Sequence, residues 1–149
     1  MRVEQRLEEL NLTLPEPVQP AANYVRYVRT GDLLFISGTG PSADHPVGKV
    51  DTEVSVEQAY AAARSIGLQI LATAKQALGD LDRITGTVKV LGMVNSAPGF
   101  GGQPQVINGC SDLLVEVLGD AGRHTRSAVG FVALPNQISV EIECTFQVE

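Results

Sequence analysis

The sequence is poor in the residue types on which several classes of protein depend. Its 149 residues include no tryptophan, two cysteines and two histidines, and aromatic residues make up 5%. Two cysteines do not make the disulfide framework of a small secreted protein, so Cys110 and Cys144 are interpreted as free buried thiols. His45 and His124 stand far apart without a cysteine or carboxylate at ligand spacing, and we therefore expect no metal site.

Clustered positive charge and long apolar runs are absent as well. The 11 Lys and Arg residues are outnumbered by 17 Asp and Glu residues, which gives a net charge of −6. Binding to nucleic acid depends on clustered Lys and Arg, so no nucleic-acid partner is expected. No apolar stretch resembles a signal peptide or approaches the roughly 20 residues that cross a bilayer. We expect a cytoplasmic protein that has no membrane partner.

The remaining composition is typical of one globular domain. Hydrophobic residues make up 44% of the chain and charged residues 19%, which is enough apolar material for a core. Residues 1–149 are therefore predicted to form a single domain. Within it, residues 1–20 hold a short amphipathic helix over 2–10 and a proline-rich extension.

Periodicity and turn signals predict the elements of this domain. Thr30-Gly31-Asp32 is typical of a hairpin turn, and Ser55 with Gln58 indicates a capping box at the start of an alanine-rich helix. In order, the elements are a hairpin over 23–38, a helix over 55–79, a strand over 84–94, a helix over about 104–118, and strands over about 125–134 and 138–148. Leu134-Pro135-Asn136 is predicted to join the last two strands. The order indicates an α+β sandwich, one mixed sheet with two helices on one face.

The alternation of the last strand assigns the two faces of the sheet. Its apolar residues point towards the helices, whereas Glu141 and Glu143 point away. We interpret the preceding strand as placing Arg126, Ala128, Gly130 and Val132 on that second face. A sheet face of small residues and isolated charges is typical of an interface, so we expect another copy of the chain to cover it.

Two charged residues of these strands are candidates for chemistry. Arg126 is followed by small residues that leave space for a ligand, and its guanidinium matches a carboxylate in two-point contact. The alternative is a structural salt bridge to Glu141 or Glu143 across neighbouring antiparallel strands. Glu141 would be partly desolvated in a closed interface, which raises the pKa of a carboxyl group and suits proton transfer near neutral pH. The alternative for Glu141 is an exposed glutamate on a strand face.

Four further residues carry weaker signals. Gly38 belongs to a glycine-containing segment that lets a ligand approach the backbone, although a tight turn is the simpler explanation. Tyr24 in the first strand and Asn108 early in the helix near 104–118 could each present a polar tip to a cleft. Core packing for the tyrosine and a surface position for the asparagine are the default interpretations. Ser127 has no evident base partner in the sequence.

Three short motifs follow one another near the end of the chain. They are Arg126-Ser127-Ala128-Val129, Leu134-Pro135 and Glu141-Ile142-Glu143. In this order they resemble the RidA (YjgF/YER057c/UK114) family, formerly called endoribonuclease L-PSP, which has Arg-Ser-x-Val, then Leu-Pro, then a strand with Glu-Ile-Glu. The resemblance runs from about Tyr24 to Val148.

The resemblance implies a fold, an assembly and an activity. Family members have a chorismate-mutase-like fold of the bacillus type and form homotrimers, with a central barrel of sheets and three clefts between subunits. Members with this arginine hydrolyse reactive 2-enamine and 2-imino acids to 2-keto acids and ammonia, without a metal or an organic cofactor. Arg126 would then bind the carboxylate of a small imino or keto acid, and Glu141 would activate the attacking water. The implied substrate-binding residues are Tyr24, Gly38, Asn108 and Ser127.

The chain also departs from the family, which marks it as a divergent member. Ala128 and Gly130 stand where a cysteine and a glutamate are frequent, and both replacements enlarge or neutralise the pocket beside Arg126. The loop over 96–104 is longer and richer in glycine than in short members. Two alternatives to a deaminase of small imino acids therefore stay open. One is a non-catalytic trimer that senses small carboxylates, and the other is a related hydrolase of a bulkier enamine.

Overall fold

The computed structural model describes residues 2–149, which form an α+β structure. Three α-helices and five strands run along these residues. The helices are α1 (Arg2–Glu9), α2 (Val56–Leu78) and α3 (Gln103–Leu118). The strands are β1 (Tyr27–Thr30), β2 (Leu33–Thr39), β3 (Ile84–Asn95), β4 (Thr125–Phe131) and β5 (Val140–Val148).

The strands form one mixed sheet in the order β1-β2-β5-β3-β4. Neighbouring strands are antiparallel except β3 and β4, which run parallel. The helices α2 and α3 pack against each other and cover one face, where Leu34, Ile66, Ile107 and Phe146 are fully buried. The predicted α+β sheet with two helices on one face is confirmed, and α1 lies to the side against α3.

The predicted capping box begins α2. Ser55 Oγ accepts from the backbone N–H of Gln58 at 3.1 Å, and Gln58 Oε1 accepts from the N–H of Ser55 at 3.0 Å. These two bonds satisfy amide groups that the start of a helix otherwise leaves without a partner. Gly79 ends α2 with a φ of 79°, which favours glycine.

Two glycines allow α2 and α3 to approach each other closely. A Cβ on Gly109 would lie 2.1 Å from the carbonyl oxygen of Tyr60, and a Cβ on Gly67 would lie 2.6 Å from Leu113 Cδ2. On its other side, α3 places Ile107 directly over Gly92 of β3. These contacts hold α3 over the sheet and thereby fix the polar residues that it presents to β4.

The prediction that the last two strands are joined as neighbours by Leu134-Pro135-Asn136 is wrong. β5 lies between β2 and β3, and β4 is an edge strand beyond β3. The connection contains a 3-10 turn over Pro135–Gln137 that carries the chain past β3. The burial of the two strands explains this order. Five residues of β5 are buried, as suits an inner strand, whereas no residue of β4 is fully buried.

The N-terminal helix is held by a residue distant in sequence. Asp82 accepts from the backbone N–H groups of Arg2 and Val3 at 2.7 Å and 2.8 Å, and Leu7 is buried. A carboxylate at this end of a helix satisfies free amide groups, so Asp82 anchors α1. Across residues 2–149, every helix falls short of the length and hydrophobicity that a bilayer crossing requires.

Candidate functional site

Arg126 lies near the start of the edge strand β4, and its side chain points towards α3. Nη1 donates to Asn108 Oδ1 at 2.8 Å and to Ser111 Oγ at 3.1 Å. Nη2 donates to the carbonyl oxygen of Pro104 at 3.4 Å. All three acceptors are neutral and belong to α3, so the helix orients the guanidinium without neutralising it. The predicted site residue Asn108 is thus in direct contact with Arg126.

A histidine stands behind this contact. His124 Nδ1 is 2.6 Å from the carbonyl oxygen of Gly122, and Nε2 is 2.8 Å from Ser111 Oγ. Because a carbonyl oxygen only accepts, Nδ1 carries the hydrogen, and in the neutral ring Nε2 accepts from the Ser111 hydroxyl. The Ser111 oxygen is then turned to accept from Arg126. His124 was considered from the sequence only as a metal ligand, and here it supports the arginine through Ser111.

Arg126 has no carboxylate partner among residues 2–149. The ion pairs of this part of the chain join other side chains. The alternative of a salt bridge to Glu141 or Glu143 is wrong, because β4 pairs with β3 and not with β5. Three of the five guanidinium N–H groups donate within the chain. Two N–H groups therefore remain for a ligand.

Glu141 lies on the inner strand β5 with its carboxylate against β2. A Cβ on Gly38 would come within 2.6 Å of Glu141 Oε2, so glycine at this position makes room for the carboxylate. Burial raises the pKa of Glu141 above its ordinary value, Glu143 raises it further, and the Arg26 cation lowers it. The predicted residues Gly38 and Glu141 are thus in contact, and the carboxyl group is disposed to hold a proton.

Arg26 is a second cation of this region, and the sequence interpretation missed it. Its side chain is 6% exposed. Nη1 donates to the carbonyl oxygen of Gly38 at 3.0 Å and to Tyr24 Oη at 3.4 Å, and Nη2 donates to Thr39 Oγ1 at 2.7 Å. Nothing in the run Tyr-Val-Arg-Tyr-Val-Arg distinguishes a buried arginine from an exposed one. The burial of Arg26 could therefore be recognised only from the fold.

Tyr24 and Ser127 have different surroundings. Tyr24 was expected in the first strand, but it precedes β1. The centre of its ring is 5.8 Å from the Arg26 guanidinium carbon. The ring is 44% exposed, so the phenol is available to a ligand or a partner. Ser127 is exposed, and alternation along β4 turns it to the opposite side from Arg126.

The groups around Arg126 and Glu141 are separate within one chain. β3 lies between their strands, and Glu141 is level with Val129, three residues beyond Arg126. Two strand spacings and this offset put the two Cα atoms roughly 14 Å apart. The expectation that Arg126, Ala128 and Gly130 share the face of Glu141 is wrong. Those three residues face α3, which covers the edge strand on the helix side of the sheet.

The arrangement can bind an anion at one place and move a proton at another. The thiol of Cys110 takes no part as a nucleophile, because burial raises its pKa to about 12. Burial also raises the pKa of the Cys144 thiol. Residues 2–149 contain no group of three His, Cys, Asp or Glu side chains that could hold a metal ion.

Comparison with known proteins identifies the family. The model of the family described as "YjgF/chorismate_mutase-like, putative endoribonuclease" matches residues 4–141. The chain belongs to the YjgF family. It is 42% identical to Protein TCP17 of Trypanosoma cruzi over 146 residues, which cover 95% of this chain and 91% of that protein.

Two solved structures are similar to this YjgF protein over 99% of its chain. Atu1372 from Agrobacterium tumefaciens, a protein of unknown function, is 42% identical with a TM-score of 0.91, and 92% of its chain is covered. A putative endoribonuclease from Shewanella oneidensis is 30% identical with a TM-score of 0.94, and 100% of its chain is covered. The fold is therefore shared along almost the whole chain.

The position of Gly130 in this YjgF protein is occupied by neighbouring polar groups. A Cβ at Gly130 would lie 2.7 Å from Gln103 Nε2 and 2.8 Å from Ser96 Oγ. The room that a larger residue would need is therefore taken by an amide and a hydroxyl. The sequence predicted an enlarged or neutralised pocket here, and the structure places neutral hydrogen-bonding groups beside Gly130.

Proposed function

We propose that this YjgF protein hydrolyses reactive 2-imino acids and their enamine tautomers to 2-keto acids and ammonia. The observation that supports the proposal most is the state of Arg126. Its guanidinium is partly buried, oriented by three neutral oxygen atoms and without a counter-charge among residues 2–149. A fixed cation with free N–H groups suits the carboxylate of a small organic acid.

The proposed reaction needs one bound anion, one water molecule and one group that carries protons. With the substrate carboxylate on Arg126, water attacks C2 of the protonated imine, and the new C2–O bond forms as water gives a proton to Glu141. Glu141 returns this proton to the nitrogen of the carbinolamine. The C2–N bond then breaks, and the hydroxyl proton passes through Glu141 to ammonia. The 2-keto acid and ammonium are released.

The environment of Glu141 supports its part in this scheme. A carboxyl group with an ordinary pKa is a weak acid donor at neutral pH, because it is almost fully ionised. Burial and the neighbouring Glu143 raise the pKa of Glu141, so the group can both take up and return a proton. The carboxylate also lies beside the backbone at Gly38, where the nitrogen end of the substrate is proposed to sit.

The proposal requires two copies of the chain. Within one copy, Arg126 and Glu141 lie on opposite faces and roughly 14 Å apart, too far to act on one imino acid. A second copy that packs its open sheet face against the β4 edge would bring its own Glu141 to the Arg126 of the first. A homotrimer with clefts between subunits provides such an arrangement.

The test uses 2-aminoacrylate generated in the assay by a dehydratase. Wild-type protein is expected to speed the release of pyruvate, and Arg126→Ala is expected to reduce the rate by about 100-fold or to the uncatalysed level, because the carboxylate loses its anchor. Arg29→Ala is the matched control, since Arg29 is exposed and its Nε donates to the carbonyl oxygen of Gly31 in the hairpin turn. Equal rates for the wild type and Arg126→Ala would refute the proposal.

A second candidate function is binding of a small carboxylate without turnover. The opposite orientation of Arg126 and Glu141 favours it, because each copy holds an anion-binding group without a nearby proton carrier. In that case, calorimetry would show binding of 2-oxobutanoate that Arg126→Ala abolishes, while no keto acid is released from the imino acid.

A further inference from the structure

A cavity of about 480 Å³ lies where β4 leaves the sheet. Its walls include Lys49, Ser96, Phe100, Gln103, Gly130 and Phe131. The volume is in the range of small-molecule sites, and the walls combine two aromatic rings with a few polar groups. None of the residues assigned above to binding or catalysis lines this cavity.

Lys49 brings a positive charge to the cavity. Its Nζ donates to Asn95 Oδ1 at 3.2 Å and to the carbonyl oxygen of Val132, which are both neutral. No carboxylate of residues 2–149 forms an ion pair with it. Glu53 accepts instead from the backbone N–H of Lys49, at 3.0 Å. The ammonium therefore has neutral partners within this part of the chain and a third N–H for an anion.

A fixed pair of polar side chains stands in the wall next to Gly130. Gln103 Nε2 donates to the carbonyl oxygen of Phe100 at 2.7 Å and to Ser96 Oγ at 3.3 Å. Ser96 Oγ in turn donates to the carbonyl oxygen of Val94 at 3.0 Å. These bonds hold the amide and the hydroxyl in the space that a side chain at position 130 would occupy. The absence of that side chain thus shapes the cavity.

The cavity lies along the same seam as Arg126. Arg126 and Gly130 both face α3, and four residue steps along β4 separate their Cα atoms by about 13 Å. On the helix, Gln103 directly precedes Pro104, whose carbonyl oxygen accepts from Arg126. Ala128 lies between the two places and presents only a methyl group. A ligand that contacts both the guanidinium and the ammonium therefore has to be extended along β4.

We propose that the Lys49 cavity binds the distal acidic group of the substrate, so that this protein selects 2-imino dicarboxylic acids. Arg126 holds the carboxylate next to the reacting carbon, and Lys49 holds the second carboxylate. The chain has a net charge of −6, so a dianion needs local cations at both of its ends. The chemistry rests on the proposed deaminase function, whereas the choice of ligand is open to a binding experiment alone.

The experiment compares two stable keto acids with the same carbon chain by calorimetry. Wild-type protein is expected to bind 2-oxoadipate about tenfold more tightly than 2-oxohexanoate, as one additional charged hydrogen bond allows. Lys49→Met should remove this preference and leave the affinity for 2-oxohexanoate unchanged, and Lys49→Arg should keep it. Lys75→Met is the control for loss of a remote lysine charge, since Lys75 pairs with Glu4 at 2.6 Å on the helix surface.

Equal affinity of the wild type for the two keto acids, or a preference that survives Lys49→Met, overturns the proposal. If Lys49→Met does not fold, Lys49→Gln replaces it, because it removes the positive charge while its side-chain amide can still donate to a neutral oxygen. Failure of the proposed function gives a different result. If the imino acids that correspond to the two keto acids both resist hydrolysis while the tenfold preference and its loss in Lys49→Met are observed, the binding subsite is supported and the catalytic role is refuted.

Discussion

Glu141 lies between neighbours that act on its ionisation in opposite directions. Burial is the largest influence and raises its pKa, Glu143 also raises it, and Arg26 lowers it. If Glu141 takes a proton from the attacking water, it must be ionised when the substrate binds. The value of kcat/KM should then fall as the pH drops through the pKa of Glu141, which lies above the ordinary 4.5.

The fall of kcat/KM at low pH is the acid limb of the profile. Replacing Glu143 and replacing Arg26 should shift this limb in opposite directions. Glu143→Gln removes a negative charge and moves the limb to lower pH, whereas Arg26→Met removes a positive charge and moves it to higher pH. The measurement is kcat/KM for an imino acid across the acid and neutral range. Arg26→Lys keeps the charge and serves as the control. Coinciding limbs in all four proteins would mean that another group governs the profile.

Single residues differ in how far the sequence reveals them. Arg126 and Glu141 stand in a motif, so their candidacy needed no knowledge of neighbours. Arg26 and Lys49 stand in no motif, and their character depends on contacts made across the fold. The bond from Lys49 to Val132, for example, spans 83 positions. Tertiary contacts determine whether a cationic side chain has a carboxylate partner. The local sequence pattern does not reveal these contacts.

At the scale of elements, the contact between α2 and α3 depends on a residue without a side chain. A Cβ at Gly109 would lie 2.1 Å from the carbonyl oxygen of Tyr60 and 3.0 Å from the backbone nitrogen of Arg64. Backbone atoms cannot rotate out of the way, so the helices would have to separate. Because α3 also carries Asn108 and Ser111, the separation would disturb the support of Arg126.

Gly109→Ala is therefore expected to lower the free energy of unfolding by about 2–3 kcal/mol, although alanine is the better helix former. Urea unfolding followed by circular dichroism measures the change. Gly101→Ala is the matched control, because nothing lies within 4 Å of a Cβ at that position. Its effect should stay within about 0.5 kcal/mol. Similar losses in both variants would argue that the close approach of the helices is not what Gly109 provides.

Helices and strand order were predictable to different degrees. The capping box at Ser55 and the apolar stripes placed α2 and α3 within a residue or two, since both signals are local. Strand alternation shows which side chains are buried but not which strand lies alongside. The prediction therefore paired β4 with β5, which is wrong. Because of this error, Arg126 was assigned to the wrong face of the sheet. A local pattern could not show that β5 inserts between β2 and β3.

At the scale of the whole molecule, residues 2–149 of a single chain leave one face of the sheet without a covering layer. Val28, Phe35 and Val129 lie on this face and are 52%, 44% and 38% exposed. Glu141 lies on the same face and is level with Val129 across β3. Exposed apolar side chains opposite the helix layer are typical of an interface, so a homo-oligomer stays our prediction.

A shared site makes a specific prediction about mixed assemblies. If Arg126 of one copy works with Glu141 of its neighbour, Arg126→Ala and Glu141→Ala are each inactive alone. After the two variants are dissociated, mixed and reassembled, about one quarter of the sites should hold both native residues, because each is drawn independently from neighbouring copies. Deaminase activity of hybrids verified by native mass spectrometry measures this recovery. Mixing Arg126→Ala with the double variant should restore nothing, since no copy then supplies the arginine. Hybrids without recovered activity would place both residues in one copy, contrary to the separation of roughly 14 Å within the chain.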